Sequence, residues 1–149
     1  MGNTRHTQAT GRPAVVRRAG RGDVYAIALL WERAGLPRSR RGFHSELARL
    51  RHRDPELVLI ALRDARIVGA IGGSYDGRTA VLSRLAVDEE VRGEGIGRLL
   101  VEALCRQLEG LGAGADELIV LDGSPAADAF WHAIGFERGR TAEFFRRSV

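Results

Sequence analysis

The residues best suited to chemistry lie in the stretch VRGEGIGRLL, Val91 to Leu100, where Gly93, Gly95 and Gly97 run straight into an apolar, helix-like pattern. A glycine in a helix costs roughly 1 kcal/mol relative to alanine, so a cluster at a helix start needs a reason beyond helix propensity. Anion binding supplies one. The first turn of a helix presents N–H groups with no intrahelical acceptor, together with about +0.5 charge from the macrodipole. Glycines clear side chains from those N–H groups and permit the positive φ values of a backbone nest, which suits a phosphate. A glycine-rich turn without a ligand is the alternative. Two nucleotide motifs are excluded: the dinucleotide fingerprint needs glycine where Arg98 stands, and a P-loop needs Lys followed by Ser or Thr after its last glycine.

The elements that must position this loop can be read from pattern. Residues 1–12 are polar and aperiodic and read as a flexible tail, leaving 13–149 as one domain. AVVRR (14–18) is a short strand; Asp23 stands where a helix N-cap belongs, ahead of VYAIALLWERAG, which stops at Gly35-Leu36-Pro37. A second helix over 42–52 places Phe43, Leu47 and Leu50 on one face before Pro55. LVLIAL, RIVGAIGGSY and TAVLSRLAV, joined by turns at RDA and DGR, read as an antiparallel meander. Glycines 69, 72 and 73 in its middle strand imply a bulge or close packing. Ile96, Leu99, Leu100, Ala103, Leu104, Leu108 and Leu111 form an amphipathic helix; DELIVLD is a buried strand, PAADAFWHAI a helix stopped by Gly135, and 136–147 a last strand or hairpin. The order is β-α-α-β-β-β-α-β-α-β, an α/β fold with a mixed central sheet and helices on both faces. The helix between TAVLSRLAV and DELIVLD implies a parallel pair, and the glycine loop opens that crossover.

Bulk properties bound the function. With 149 residues, 44% hydrophobic and 28% charged, the chain reads as a soluble globular protein. Nothing approaches the roughly 20 apolar residues of a membrane span, and the N-terminus lacks a signal peptide's apolar core, so a cytoplasmic location is expected. The single Cys105 cannot form an internal disulfide, and no Cys/His spacing suits a metal. The net charge of +4 rests on arginine alone, scattered among acids, unlike the patch a nucleic-acid binder gathers.

Arg92-Gly93-Glu94-Gly95-Ile96-Gly97 resembles the Arg/Gln-x-x-Gly-x-Gly/Ala signature of the GNAT superfamily of acyl-CoA-dependent N-acyltransferases. RLAVDEEVRGEGIGRLL resembles that family's strand-loop-helix core and AFWHAIGF its closing helix and turn, while LWERAGL and GGSYDG are similar to small bacterial members of the YpeA type. The resemblance implies a GNAT fold that binds acetyl-CoA. Its pyrophosphate would lie on the backbone of residues 93–98, with Arg92 and Arg98 adding charge. The pantetheine arm would pair with the backbone of Leu85, Ala86 and Val87, and the N–H of Val87 would polarise the thioester carbonyl.

The family reaction is direct attack of an amine on the acetyl thioester, so a base and an acid are useful. Trp131 occupies the position of the family's acidic Tyr, and Ser124 that of an Asn that contacts pantetheine. Asp122 is read either as the base or as an N-cap for the helix at Pro125, with Glu32 another candidate base and a water relay a third route. His132 reads as a surface or interhelix residue and Cys105 as a packed one. The acceptor side would lie along the first two helices, near Trp31 and Glu32. Arg38, Arg40 and Arg41 there suit an acceptor that also carries an anionic group, or else form a solvated loop. Expected partners are acetyl-CoA and an amine acceptor, with a homodimer left open and neither nucleic acid nor membrane. A binding module with weakened catalysis is the competing reading.

Overall fold

The computed structural model describes residues 12–115, 118–121, 127–139 and 147. Its elements run β1 (Val15–Arg18), α1 (Val24–Arg33), α2 (Gly42–Arg53), β2 (Val58–Arg63), β3 (Arg66–Tyr75), β4 (Ala80–Val87), α3 (Ile96–Gly110), β5 (Leu118–Leu121) and α4 (Asp128–Ala133). The strands lie in chain order in one sheet, antiparallel from β1 to β4, with β5 parallel to β4. The expected α/β order is found through α4. The last expected strand has no counterpart over 136–139, which are irregular, and 140–146 lie outside the described residues.

Alternation along β2 divides the core. Leu59 and Ala61 face α3 with Val68, Leu100, Leu104 and Leu108, whereas Val58 and Ile60 face α1 and α2 with Ile27, Trp31, Phe43 and Leu47. Both faces of the strand are therefore buried, which explains its unbroken apolar run. At the β3 glycines the reading of close packing holds: a Cβ on Gly69 would come 2.9 Å from Leu100 Cδ1, and one on Gly73 would come 3.1 Å from the Leu104 methyls. Helix α3 thus lies directly on the backbone of β3. Gly69→Ala is expected to lower the unfolding free energy by about 2 kcal/mol through overpacking. An unchanged urea midpoint would remove this explanation.

Asp23 precedes α1 as expected, yet its carboxylate makes no cap bond to that helix. It instead accepts from Gly20 N at 2.6 Å and Arg17 Nη1 at 2.8 Å, closing the turn upstream. The Arg17 hydrogen bond holds its carboxyl below the usual range, helped by the Gly20 N–H and opposed by burial.

Candidate active site

β4 carries one residue more than β3 requires: Ala70 pairs with Ala86, but Gly72 pairs with Ser83. The extra residue is a bulge at Arg84, whose φ is +59°. Among the described residues, β5 pairs with β4 from Ala80 to Ser83. Beyond the bulge, Leu85, Ala86 and Val87 line a cleft of about 620 Å³ whose opposite wall is Phe130 and Ile134 and whose end is the glycine loop. Leu36 joins it because α1 stops at Gly35 in a left-handed turn, with Leu36 N donating to Trp31 O.

Within the loop the three glycines do different work. Gly93 (φ +82°) and Gly95 (φ +86°) adopt the left-handed conformation, and Gly95 stands at the N-cap of α3. A Cβ at either would meet nothing within 4 Å, so the approach to their backbone is open. Gly97 is different: a Cβ there would come 3.1 Å from the Phe130 ring. Its missing side chain makes room for α4, whereas residues 93 and 95 shape the nest. Among the described residues, no backbone acceptor takes the N–H groups of residues 93–98. Ile96 anchors the loop by burial in the core. The arrangement fits a phosphate-bearing donor with an extended arm, because open N–H groups and a helix N-terminus sit at one end of a largely apolar trough.

The charged loop residues divide as well. Arg92 is exposed at the cleft mouth; Arg98, also lining it, pairs with Glu102 one turn along at 3.0 Å. The Glu94 side chain turns away from the nest and accepts from Arg63 Nη1 at 2.6 Å.

Arg84 was not legible as a site residue. Its guanidinium donates from Nε and Nη2 to both oxygens of Glu46 (2.7 and 2.9 Å) and from Nη1 to Pro37 O (2.7 Å), while stacking 5.4 Å from the Trp31 ring. Three donors of one side chain thus bind the bulge to α2 and to the α1–α2 loop. Trp31 itself is fully buried, edge-on to Phe43, so it offers no side-chain surface to an acceptor. Glu32 is exposed on the outer side of α1, 3.5 Å from Arg38, in a hollow with Tyr25 and His44 separate from the cleft.

Trp131 is buried between Phe130 and Phe136, with ring centroids 5.0 and 5.4 Å away. Phe130, one residue earlier, lines the cleft together with Ala133; helical spacing of Phe130 with Ile134 is the available signal. His132 is exposed. Burial first, then Glu109 and Glu102, push the Cys105 thiol up, which leaves it protonated and inert. Asp122 and Ser124 lie outside the described residues. Among the described residues no group of three His, Cys, Asp or Glu could hold a metal, and no helix is long and apolar enough to cross a membrane.

Residues 24–136 match the family model described as the acetyltransferase (GNAT) family. Acetyltransferase ECA0875 of Pectobacterium atrosepticum is 30% identical over 115 residues, 77% of this chain and 82% of that protein. Acetyltransferase YPTB2753 of Yersinia pseudotuberculosis is 28% identical over 127 residues, covering 85% and 90%. Among solved structures, the aminoglycoside N-acetyltransferase AAC(6')-Iy in complex with CoA superposes with a TM-score of 0.74 at 17% identity, covering 92% of this chain and 96% of that one. Ard1 from Thermoplasma volcanium gives 0.73 at 21% identity, covering 85% and 84%. The chain therefore belongs to the acetyltransferase (GNAT) family. It is an acetyltransferase, and acetyl-CoA is its acetyl donor.

Proposed function

We propose that the chain, a member of the YpeA-like subgroup, moves the acetyl group of acetyl-CoA to a primary amine of a small molecule or peptide within a ternary complex. The observation that carries this reading is the cleft, which joins the open N–H groups of residues 93–98 to Leu85–Val87, the part of β4 beyond its described pairing with β5. Acetyl-CoA supplies an activated acetyl group: the amine nitrogen bonds to the carbonyl carbon, the C–S bond breaks, and the thiolate leaves. The backbone of Leu85, Ala86 and Val87 lies along the pantetheine arm as an added strand would, with the Val87 N–H directed at the thioester oxygen. The N–H groups of residues 93–98 hold the pyrophosphate, with Arg92 adding positive charge at the mouth. Asp122 takes the amine's proton directly or through water.

The acceptor carries an anionic group as well as its amine. Arg38 is engaged by Glu32 and by the Phe43 ring at 5.3 Å, which leaves Arg40 and Arg41, both exposed beside α2, to meet it. Thiol release from acetyl-CoA, measured across a panel of amino acids, acidic peptides and polyamines, tests both points. Amino acids or acidic peptides are expected to be preferred, and the double substitution Arg40→Glu with Arg41→Glu should weaken that preference about tenfold. An unaltered ranking sinks the anionic-acceptor reading.

A second reading, a CoA-binding module with weak catalysis, is favoured by Trp131, whose indole cannot protonate a thiolate at neutral pH and which is buried among aromatic rings. CoA binding without acceptor-dependent thiol release would decide for it.

A further inference from the structure

The segment that the donor's phosphates approach is itself rich in negative charge: Asp88, Glu89, Glu90 and Glu94 lie in or just before the loop, offset within it only by Arg92 and Arg98. A carboxylate a few ångströms from a phosphate opposes binding, and more so in a half-buried cleft than in water. The β2–β3 hairpin meets this charge. Its closing pair, Arg63 and Arg66, stand directly opposite each other across the strands. Two like charges so placed repel. Each reaches into the 88–94 segment: Arg63 Nη1 donates to Glu94 Oε1 at 2.6 Å, and Arg66 Nη2 to Asp88 Oδ2 at 3.1 Å and to Glu90 Oε1 at 3.4 Å.

The two contacts are unequal. Arg66 is 58% exposed, so solvent and salt screen it, whereas the Arg63 and Glu94 side chains are only 11% and 24% exposed. Arg63 Nε is buried without a hydrogen-bond partner among the described residues. Leaving an N–H unsatisfied is unfavourable, and the fold accepts it in order to set this guanidinium beneath the loop. Glu94 lies between the two left-handed glycines, yet it does not line the cleft as Gly93 and Gly95 do; its carboxylate is held by Arg63.

We propose that Arg63, assisted by Arg66, is a positioning residue for donor binding: it draws the Glu94 carboxylate out of the nest and neutralises it, leaving the N–H groups to face the pyrophosphate alone. This rests on the loop being the donor's phosphate site. The test is calorimetric titration of the full chain with CoA. Arg63→Met is expected to weaken binding about tenfold. In the Glu94→Gln background the same substitution should weaken it less than about threefold, since the charge to be neutralised is gone. The gap between Arg63→Met and the parent should narrow at high salt. Arg63→Lys keeps the charge and is expected to stay within about threefold of the parent, so the test stands even if the unpaired Glu94 of Arg63→Met unfolds the chain. Unchanged affinity in Arg63→Met, a loss that persists in the Glu94→Gln background, or a lysine variant as weak as the methionine one would each overturn the proposal. Gly95→Val separates the two levels. If that variant binds CoA normally, the loop reading falls; if it loses CoA while Arg63 and Glu94 show no coupling, only the positioning role falls.

Discussion

Gly95→Val is expected to weaken CoA binding at least tenfold while the chain stays folded. A β-branched residue in the left-handed region is unfavourable by roughly 1–2 kcal/mol, and 1.4 kcal/mol corresponds to a factor of ten in affinity. The space around the new side chain is open, so the core does not oppose the substitution. The strain is relieved by rotating residue 95 to negative φ, which swings the N–H groups at the start of α3 off their common centre. Gly95→Asn, which tolerates the left-handed region, should lose less than valine. Titration of the three proteins with CoA measures the series, and equal affinities for all three would mean that the loop does not hold the donor's phosphates.

The second large effect falls on Arg84. Arg84→Ala removes three hydrogen bonds at once and strands the Glu46 carboxylate, which is only 19% exposed, so a loss of about 3 kcal/mol in unfolding free energy is expected. Arg84→Gly loses the same contacts but relieves the φ of +59°, and should be less destabilised than alanine by roughly 1 kcal/mol. Chemical denaturation of the two variants separates contact from backbone. Acetyl transfer should fall in both, because Leu85–Val87 follow directly from the bulge. Retention of full turnover in Arg84→Ala would show that the cleft strand keeps its shape without the tie to α2.

Local pattern was enough for most of the scaffold. The helix α3 carries its heptad-like apolar series on one face, and the β2–β3–β4 meander announces itself by β-branched runs between short polar turns. The loop was legible for the same reason, since three glycines at a helix start are a local anomaly. Burial of Trp31 was also within reach: it stands four residues after Ile27, one turn along the same apolar face. What escaped depends on partners distant in sequence. Nothing in TAVLSRLAV marks Arg84 as left-handed, because the residues that hold it there, Glu46 and Pro37, lie 38 and 47 positions away. The tie of the Glu94 side chain to Arg63, 31 residues earlier, is hidden for the same reason. Asp23 does stand at the N-cap of α1, but its oxygens are taken by Arg17 and Gly20 and make no cap bond.

Strand order along the sheet carries one further consequence. The turns that close β2 on β3 and β3 on β4 are short, whereas β5 reaches β4 only across the loop and the whole of α3. Closing that longer connection is entropically dearer, so the β4–β5 seam is expected to form last and open first, which hydrogen exchange along β5 would measure. The cleft opens just beyond the described end of this seam. A donor bound there stabilises the folded chain by mass action, by about 2.7 kcal/mol at a concentration one hundred times its dissociation constant. Bound acetyl-CoA is thereby expected to protect the chain against unfolding and proteolysis.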